Sequence, residues 1–355
     1  MIARACSLAF SALCLVVGLA VSSLALSAVF PSRDERGMLQ QKLRHLAADG
    51  ARYDTLLLGS SRVFRQIDPA IFDRETAKLG RPTRSFNMGF NGMFAPEDSY
   101  VCEEMLKVKP PGLRWVILET SYFVPYSSIT QRAQPKRVIV WHDWPRTLAA
   151  WRSIWPEYKR PKKSSWEKRR EAWEKHRQAI AKIWPEILGH ARCFFMRTVG
   201  LGHGAGLLRV ALTTSGDPPP RDEPWIAKQA GFTAIPDPPE PAMIAIFERE
   251  LAARSQSPAM YRPLPAEAQR NLDRMLAAIR AAGAEPVLFQ APMPLAIVYE
   301  PNPKVATRVM DFCVLEKYPD LYKTEHRQDH GHLNATGAAI FSRLIAEEWV
   351  RGAGR

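Results

Sequence analysis

Thr55–Leu58, Trp115–Leu118 and Pro286–Phe289 are short apolar runs, and Arg84–Asn87 is a further extended candidate. Continuous runs of this length predict strands buried on both faces, the signature of a parallel sheet. Each run stops at a small or polar cluster: Gly59-Ser60-Ser61-Arg62, Gly89, Glu119-Thr-Ser and Gln290-Ala-Pro. Helical periodicity lies between them. Pro96–Leu106 opens with Pro, Glu and Asp, which suit a helix N-terminus. Ala266–Ala282 lines up Leu272, Met275, Leu276 and Ile279 and stops at Gly283. Ala338–Val350 carries Phe341, Leu344 and Ile345. Strands alternating with helices predict an α/β fold, a three-layer α/β/α sandwich with a parallel sheet. In such sheets ligands bind outside the carboxyl ends of the strands.

Two regions depart from this pattern. Between Ala5 and Ser32 there is no charged residue, with Arg4 before and Arg33 after. That is long enough to span a bilayer as an N-terminal transmembrane helix. A cleaved signal peptide ending near Ala25-Leu-Ser27 is the alternative, and either reading sends the chain out of the cytoplasm. Arg33, Arg36, Lys42 and Arg44 follow as flanking basic residues. The second region is the middle. Seven of the ten tryptophans fall between Trp141 and Trp184, a helix is predicted over Lys168–Ala181, and eight prolines between Thr214 and Pro241 read as an irregular linker. The predicted organisation is an anchor over 1–32, a core over 33–130 and 261–355, and a helical, basic, Trp- and Pro-rich insertion over 131–260.

Charge sharpens this division. The 355 residues carry a formal net charge of +13. Residues 131–180 hold 14 Lys/Arg against 5 Asp/Glu, a net of +9, so the core is close to balanced. The excess points to a local contact with an anionic surface through 131–180 rather than to nucleic acid, for which no binding motif is present. The tryptophans there read as core, as sugar-stacking rings or as membrane-interface residues. The five cysteines form no CxxC pair, which excludes a zinc ribbon and a dense disulfide framework.

Candidate chemistry lies at the strand ends. Ser61 follows the first strand, where the next backbone N–H groups can face a developing oxyanion. A serine hydroxyl needs a base. The run His326-Arg-Gln-Asp329-His330-Gly-His332-Leu-Asn334 offers one, with Asp329 three residues before His332. Asn334 is placed to cap the final helix. The same loop read as a metal site would use His326, Asp329, His330 and His332, but no second ligand cluster exists elsewhere, and no metal or cofactor is expected. Glycines in Phe86-Asn87-Met-Gly89-Phe-Asn91-Gly92 permit close backbone approach to a ligand.

These motifs, in this order, resemble the SGNH/GDSL hydrolase superfamily. The resemblance covers about 54–123 and 264–350. It implies Ser61 as nucleophile, His332 as base, Asp329 as its orienting acid, and the N–H groups of Ser61 and Gly92 as an oxyanion hole. One block departs: the family's asparagine after the third strand is absent from Glu119-Thr-Ser-Tyr-Phe123, and Asn91 is the candidate substitute. The combination also resembles a membrane-anchored subgroup that includes polysaccharide O-acetyltransferases and the D-alanyl-transfer protein of teichoic acid modification. The implied protein is an exported, single-pass inner-membrane esterase or O-acyltransferase facing the periplasm or exterior. It would act on an acyl ester of a polysaccharide, most simply an acetyl ester. The alternative is a non-catalytic envelope scaffold that keeps the fold.

Overall fold

The computed structural model describes residues 37–108, 110–120, 135–158, 165–198, 224–235, 239, 241–303 and 309–353, with scattered positions between 10 and 25. The scattered positions are helical and exposed. Among the described residues no helix is long and apolar enough to cross a membrane. Most of the transmembrane segment expected over 5–32 lies outside the described residues.

The chain forms two compact units. The larger, 36–125 with 220–355, is a mixed α/β structure around a parallel sheet. Its first half runs α1 (Met38–Asp49), β1 (Thr55–Leu58), α2 (Ser61–Gln66), α3 (Pro69–Lys78), β2 (Ser85–Asn87), α4 (Glu97–Val108) and β3 (Trp115–Glu119). The second unit contributes α5 (Pro135–Val140), α6 (Trp144–Ile154) and α7 (Trp166–Thr198). The larger unit then resumes with α8 (Pro224–Lys228), α9 (Pro241–Gln256), β4 (Met260–Pro263), α10 (Ala266–Ala281), β5 (Glu285–Gln290), β6 (Ile297–Glu300), β7 (Val309–Asp311) and α11 (Ala335–Ala353).

Five strands pair in the order β2-β1-β3-β5-β7, all parallel. The chain leaves β1 to one side for β2, then returns to its other side for β3. The order therefore reverses between β1 and β3, and the crevice that such a reversal opens lies at their carboxyl ends. Strand side chains alternate between two cores. Leu56, Leu58, Val116, Leu118 and Leu288 pack with α1, α4 and α10; Leu57, Ile117 and Phe289 pack with α2, α3 and α11. Both faces of the sheet are thus covered, which is why the strands are apolar without alternation.

Several details differ from the sequence expectations. β4 and β6 form a separate two-stranded parallel sheet, and β7 adds an edge strand; none of the three is among the expected strands, although Ile297-Val298-Tyr299 of β6 is an apolar run. The helix expected over Lys168–Ala181 extends to 33 residues, through Pro185. The expected insertion over 131–260 divides. Its part up to 219 belongs to the smaller unit, whereas 220–260 belongs to the larger. Within the expected linker, α8 places Ile226 at 2% exposure in the first core; beyond it, Phe247 of α9 is fully buried in the second. Lys42, grouped above with the flanking charges, is fully buried on α1.

In the smaller unit, Asp143 caps α6 by accepting the Arg146 N–H, and α6 packs on α7. Trp141 stacks on His142, whose Nε2 lies 2.9 Å from Nδ1 of His190 on α7. Trp151 Nε1 donates to the Ile187 carbonyl at 3.1 Å.

Candidate active site

The turn after β1 is built around its backbone. Gly59 leaves no room for a side chain: a Cβ there would lie 2.3 Å from Val63 Cγ2 and 2.6 Å from Glu119 Oε2. Ser60 is the N-cap of α2, its hydroxyl accepting the Arg62 N–H at 3.2 Å. The Val63 and Phe64 N–H groups both bond to the Ser60 carbonyl. Of the first-turn N–H groups, the one left without a protein acceptor among the described residues is that of Ser61.

Glu119, the last residue of β3, fixes this turn from the adjacent strand. Its Oε2 accepts the Ser60 N–H at 2.7 Å, and its Oε1 lies 3.6 Å from Arg62 Nε. Both side chains are about 1% exposed. The position where the family pattern lacks its asparagine thus borders a buried ion pair that holds the serine turn.

Ser61 Oγ lies 2.7 Å from His332 Nε2. His332 Nδ1 lies 2.8 Å from Asp329 Oδ2 and 2.9 Å from Oδ1. An ionised carboxylate only accepts, so Nδ1 carries the ring proton and Nε2 is left to accept from Ser61. Oδ1 of Asp329 also accepts the backbone N–H groups of Gly331 and His332, at 2.6 and 2.7 Å. Burial by itself would raise the Asp329 carboxyl. The His332 ring and these N–H donors outweigh burial and hold it below the usual aspartate value.

The loop that carries Asp329 and His332 is tied at several points. Arg327, fully buried, donates through both terminal nitrogens to the Pro292 carbonyl at 3.1 Å and lies over the Phe247 ring. Burial draws its guanidinium down to about 10. Gln66 Nε2 reaches the Gly331 carbonyl at 3.3 Å, which joins this loop to the end of α2. Asn334 caps α11 by accepting the Gly337 N–H and anchors itself on the Glu325 carbonyl.

The loop after β2 supplies the third side. Asn87 Nδ2 donates to the carbonyls of Val63 and Ile67, and its Oδ1 accepts the Gly89 N–H. Gly89 presses on α2, where a Cβ would fall 2.3 Å from the Phe64 nitrogen. Lys42 closes this loop from below, its Nζ donating to the carbonyls of Asn87 and Gly89 at 2.8 Å each. Its ammonium also faces the rings of Phe64 and Phe90. Burial, with the charge of Arg65, holds Lys42 well below the ordinary lysine range.

The N–H groups of Asn87, Met88, Gly89 and Phe90 are all committed, to Ala230 O, Leu57 O, Asn87 Oδ1 and Gly59 O. Gly92 is exposed, has φ +60°, and its N–H has no protein acceptor among the described residues. Asn91 is exposed and its Oδ1 meets Arg65 Nε at 3.4 Å. The structure therefore brings Ser61, His332 and Asp329 into direct contact. It leaves Asn91 beside Arg65 and Gly92 with an uncommitted N–H.

No protein-family model matches the chain, and no curated protein matches it.

Among the described residues no group of three or more His, Cys, Asp or Glu is arranged to hold a metal. Within the loop weighed above, His326 Nδ1 lies 2.6 Å from the Asp320 carbonyl, His330 is exposed, and Asp329 and His332 face each other. Cys102 and Cys313 are buried, and burial pushes the Cys313 thiol up to about 12. Glu119, Arg62, Lys42 and Arg327 were the residues that sequence reasoning missed. The nearest signal was position alone: Arg62 and Glu119 stand at the carboxyl ends of neighbouring strands.

Proposed function

We propose that this chain is an SGNH-type serine esterase or O-acyltransferase with a three-layer α/β/α core. The observation that carries the reading is the continuous relay from Ser61 Oγ through His332 to Asp329, with both contacts below 3 Å. Relays of this kind activate a hydroxyl for attack on a carbonyl.

In the proposed first step Ser61 Oγ bonds to the ester carbonyl carbon as its proton passes to His332 Nε2. Asp329 holds the ring in the matching tautomer and faces the imidazolium. The free N–H groups of Ser61 and Gly92 are the proposed donors to the oxyanion. As the tetrahedral intermediate collapses, the alcohol leaves with the proton from His332, and Ser61 keeps the acyl group. A second hydroxyl then attacks the acyl-enzyme, giving its proton to His332, which returns it to Ser61. Water as that acceptor gives hydrolysis; a sugar hydroxyl gives transfer.

The substrate class proposed is an acyl ester, acetyl most simply, of a cell-envelope or extracellular polysaccharide. The uncharged run over 5–32 supports this, since it suits an exported protein tethered at a membrane. The absence from Glu119-Thr-Ser-Tyr-Phe123 of the family's asparagine after the third strand favours a second reading, an envelope scaffold that keeps the fold without turnover. The p-nitrophenyl acetate reaction separates the two. A burst of p-nitrophenol from the wild type, absent in Ser61→Ala, supports turnover. Equal release by both proteins overturns it.

A further inference from the structure

The smaller unit carries a surface that the proposed chemistry does not use. Helix α7 spans 33 residues, yet only His190 on it is buried. Its exposed large apolar side chains are Trp166, Trp173, Trp184, Leu188 and Phe195, each between 43% and 76% exposed. Their spacings are 7, 11, 4 and 7 residues. At 3.6 residues per turn, all five fall within an arc of about 60° on one side of the helix. The stripe is roughly 44 Å long at 1.5 Å per residue. Soluble proteins seldom leave so continuous an apolar ridge in water.

The charges beside the ridge are mostly of one sign. Arg170 and Arg177 fall within the arc, and Arg169 and Arg192 flank it; all four are exposed. Among the nearby acids, Glu174 is already paired with Arg177 at 2.7 Å. The ridge also continues onto α6. Half-exposed Trp144 meets Phe194, and half-exposed Trp155 lines a shallow apolar groove with Leu148, Trp151, Arg152 and Ile187.

We propose that this face lies in the interface of an anionic lipid bilayer, with α7 parallel to the membrane plane. Trp, Phe and Leu on one helix side with arginines beside them match the side-chain preferences of the headgroup region, where indole rings sit at the boundary and cations meet anionic headgroups. A polysaccharide fits less well. Leu188 and Phe195 continue the ridge without the sugar-stacking geometry of tryptophan. The inference stands apart from the serine chemistry.

The test uses the full chain reconstituted with vesicles of phosphatidylcholine alone or mixed with phosphatidylglycerol, carrying brominated acyl chains. The uncharged run over 5–32 holds no tryptophan, so its insertion contributes no quenching. Strong tryptophan quenching is expected in the anionic vesicles and weak quenching in the neutral ones. Trp166→Ser, Trp173→Ser and Trp184→Ser together should remove most of it, with the helical circular dichroism retained. A second variant, Arg169→Gln, Arg170→Gln, Arg177→Gln and Arg192→Gln, keeps every tryptophan and should abolish the preference for phosphatidylglycerol. Absence of quenching in both vesicle types overturns the proposal. So does quenching that neither variant changes, or a fluorescence shift produced by soluble polygalacturonate in place of the bilayer.

Discussion

At the residue scale, the candidate site depends on polar groups whose partners are fixed from different parts of the chain. Asp329 is the clearest case for pH. Its folded carboxyl lies below the usual aspartate value, so it favours the folded state fully above the unfolded value near ~3.9. That contribution is lost as pH falls through the lower folded value. Wild type should therefore lose stability relative to Asp329→Asn on acidification below about pH 4, read by denaturant midpoints across pH. On activity, Asp329→Asn should lower kcat by about four orders of magnitude, as expected when a relay histidine loses its tautomer. Glu119 acts through the turn it holds. Glu119→Ala strips the carboxylate from a buried guanidinium and the acceptor from Ser60, and should cost about 3–5 kcal/mol in chemical denaturation. The Asp329–His332 pairing was readable because the two lie three positions apart. The Glu119–Ser60 bond was not, because its partners lie 59 positions apart and meet only when β1 and β3 pair.

At the element scale, the loop after β2 separates two glycines that look alike in sequence. Gly89 touches the backbone of α2, so Gly89→Ala must displace the helix that begins at Ser61. Gly92 sits in open space at φ +60°, so Gly92→Ala should cost only about 1 kcal/mol of backbone strain and keep its N–H. Thermal unfolding of the two variants should rank them in that order, and the reverse order would contradict the close packing of Gly89. The strands β1, β3 and β5 were legible because burial on both faces leaves continuous apolar runs, whereas β2, Ser-Phe-Asn, holds a single apolar residue. β4 was not: all four of its residues are exposed, so no apolar run marks it. The helix α8 was masked by flanking prolines, although Pro224 suits a helix start and Ile226 reaches the core. Lys42 read as a surface charge, since no local pattern reveals that two carbonyls and three aromatic rings await its ammonium.

At the scale of the whole molecule, a parallel sheet reversing between β1 and β3 accounts for where the chemistry gathers. Ser61 follows β1, Glu119 ends β3, and α11 begins just after His332. The central strands are flanked on both sides, so their amides should exchange slowest. Leu56–Leu58 and Val116–Leu118 are expected to outlast β7 at the edge in hydrogen exchange. The charge excess of the sequence gathers in 131–180, all of it within the smaller compact unit. The central claim is that Ser61 is an activated nucleophile. Its most direct test is intact-protein mass spectrometry after treatment with a fluorophosphonate. One phosphonate adduct, mapped to Ser61 and absent from Ser61→Ala and His332→Ala, is the predicted result. An unmodified wild-type protein, or an adduct on another serine that persists in Ser61→Ala, would contradict it.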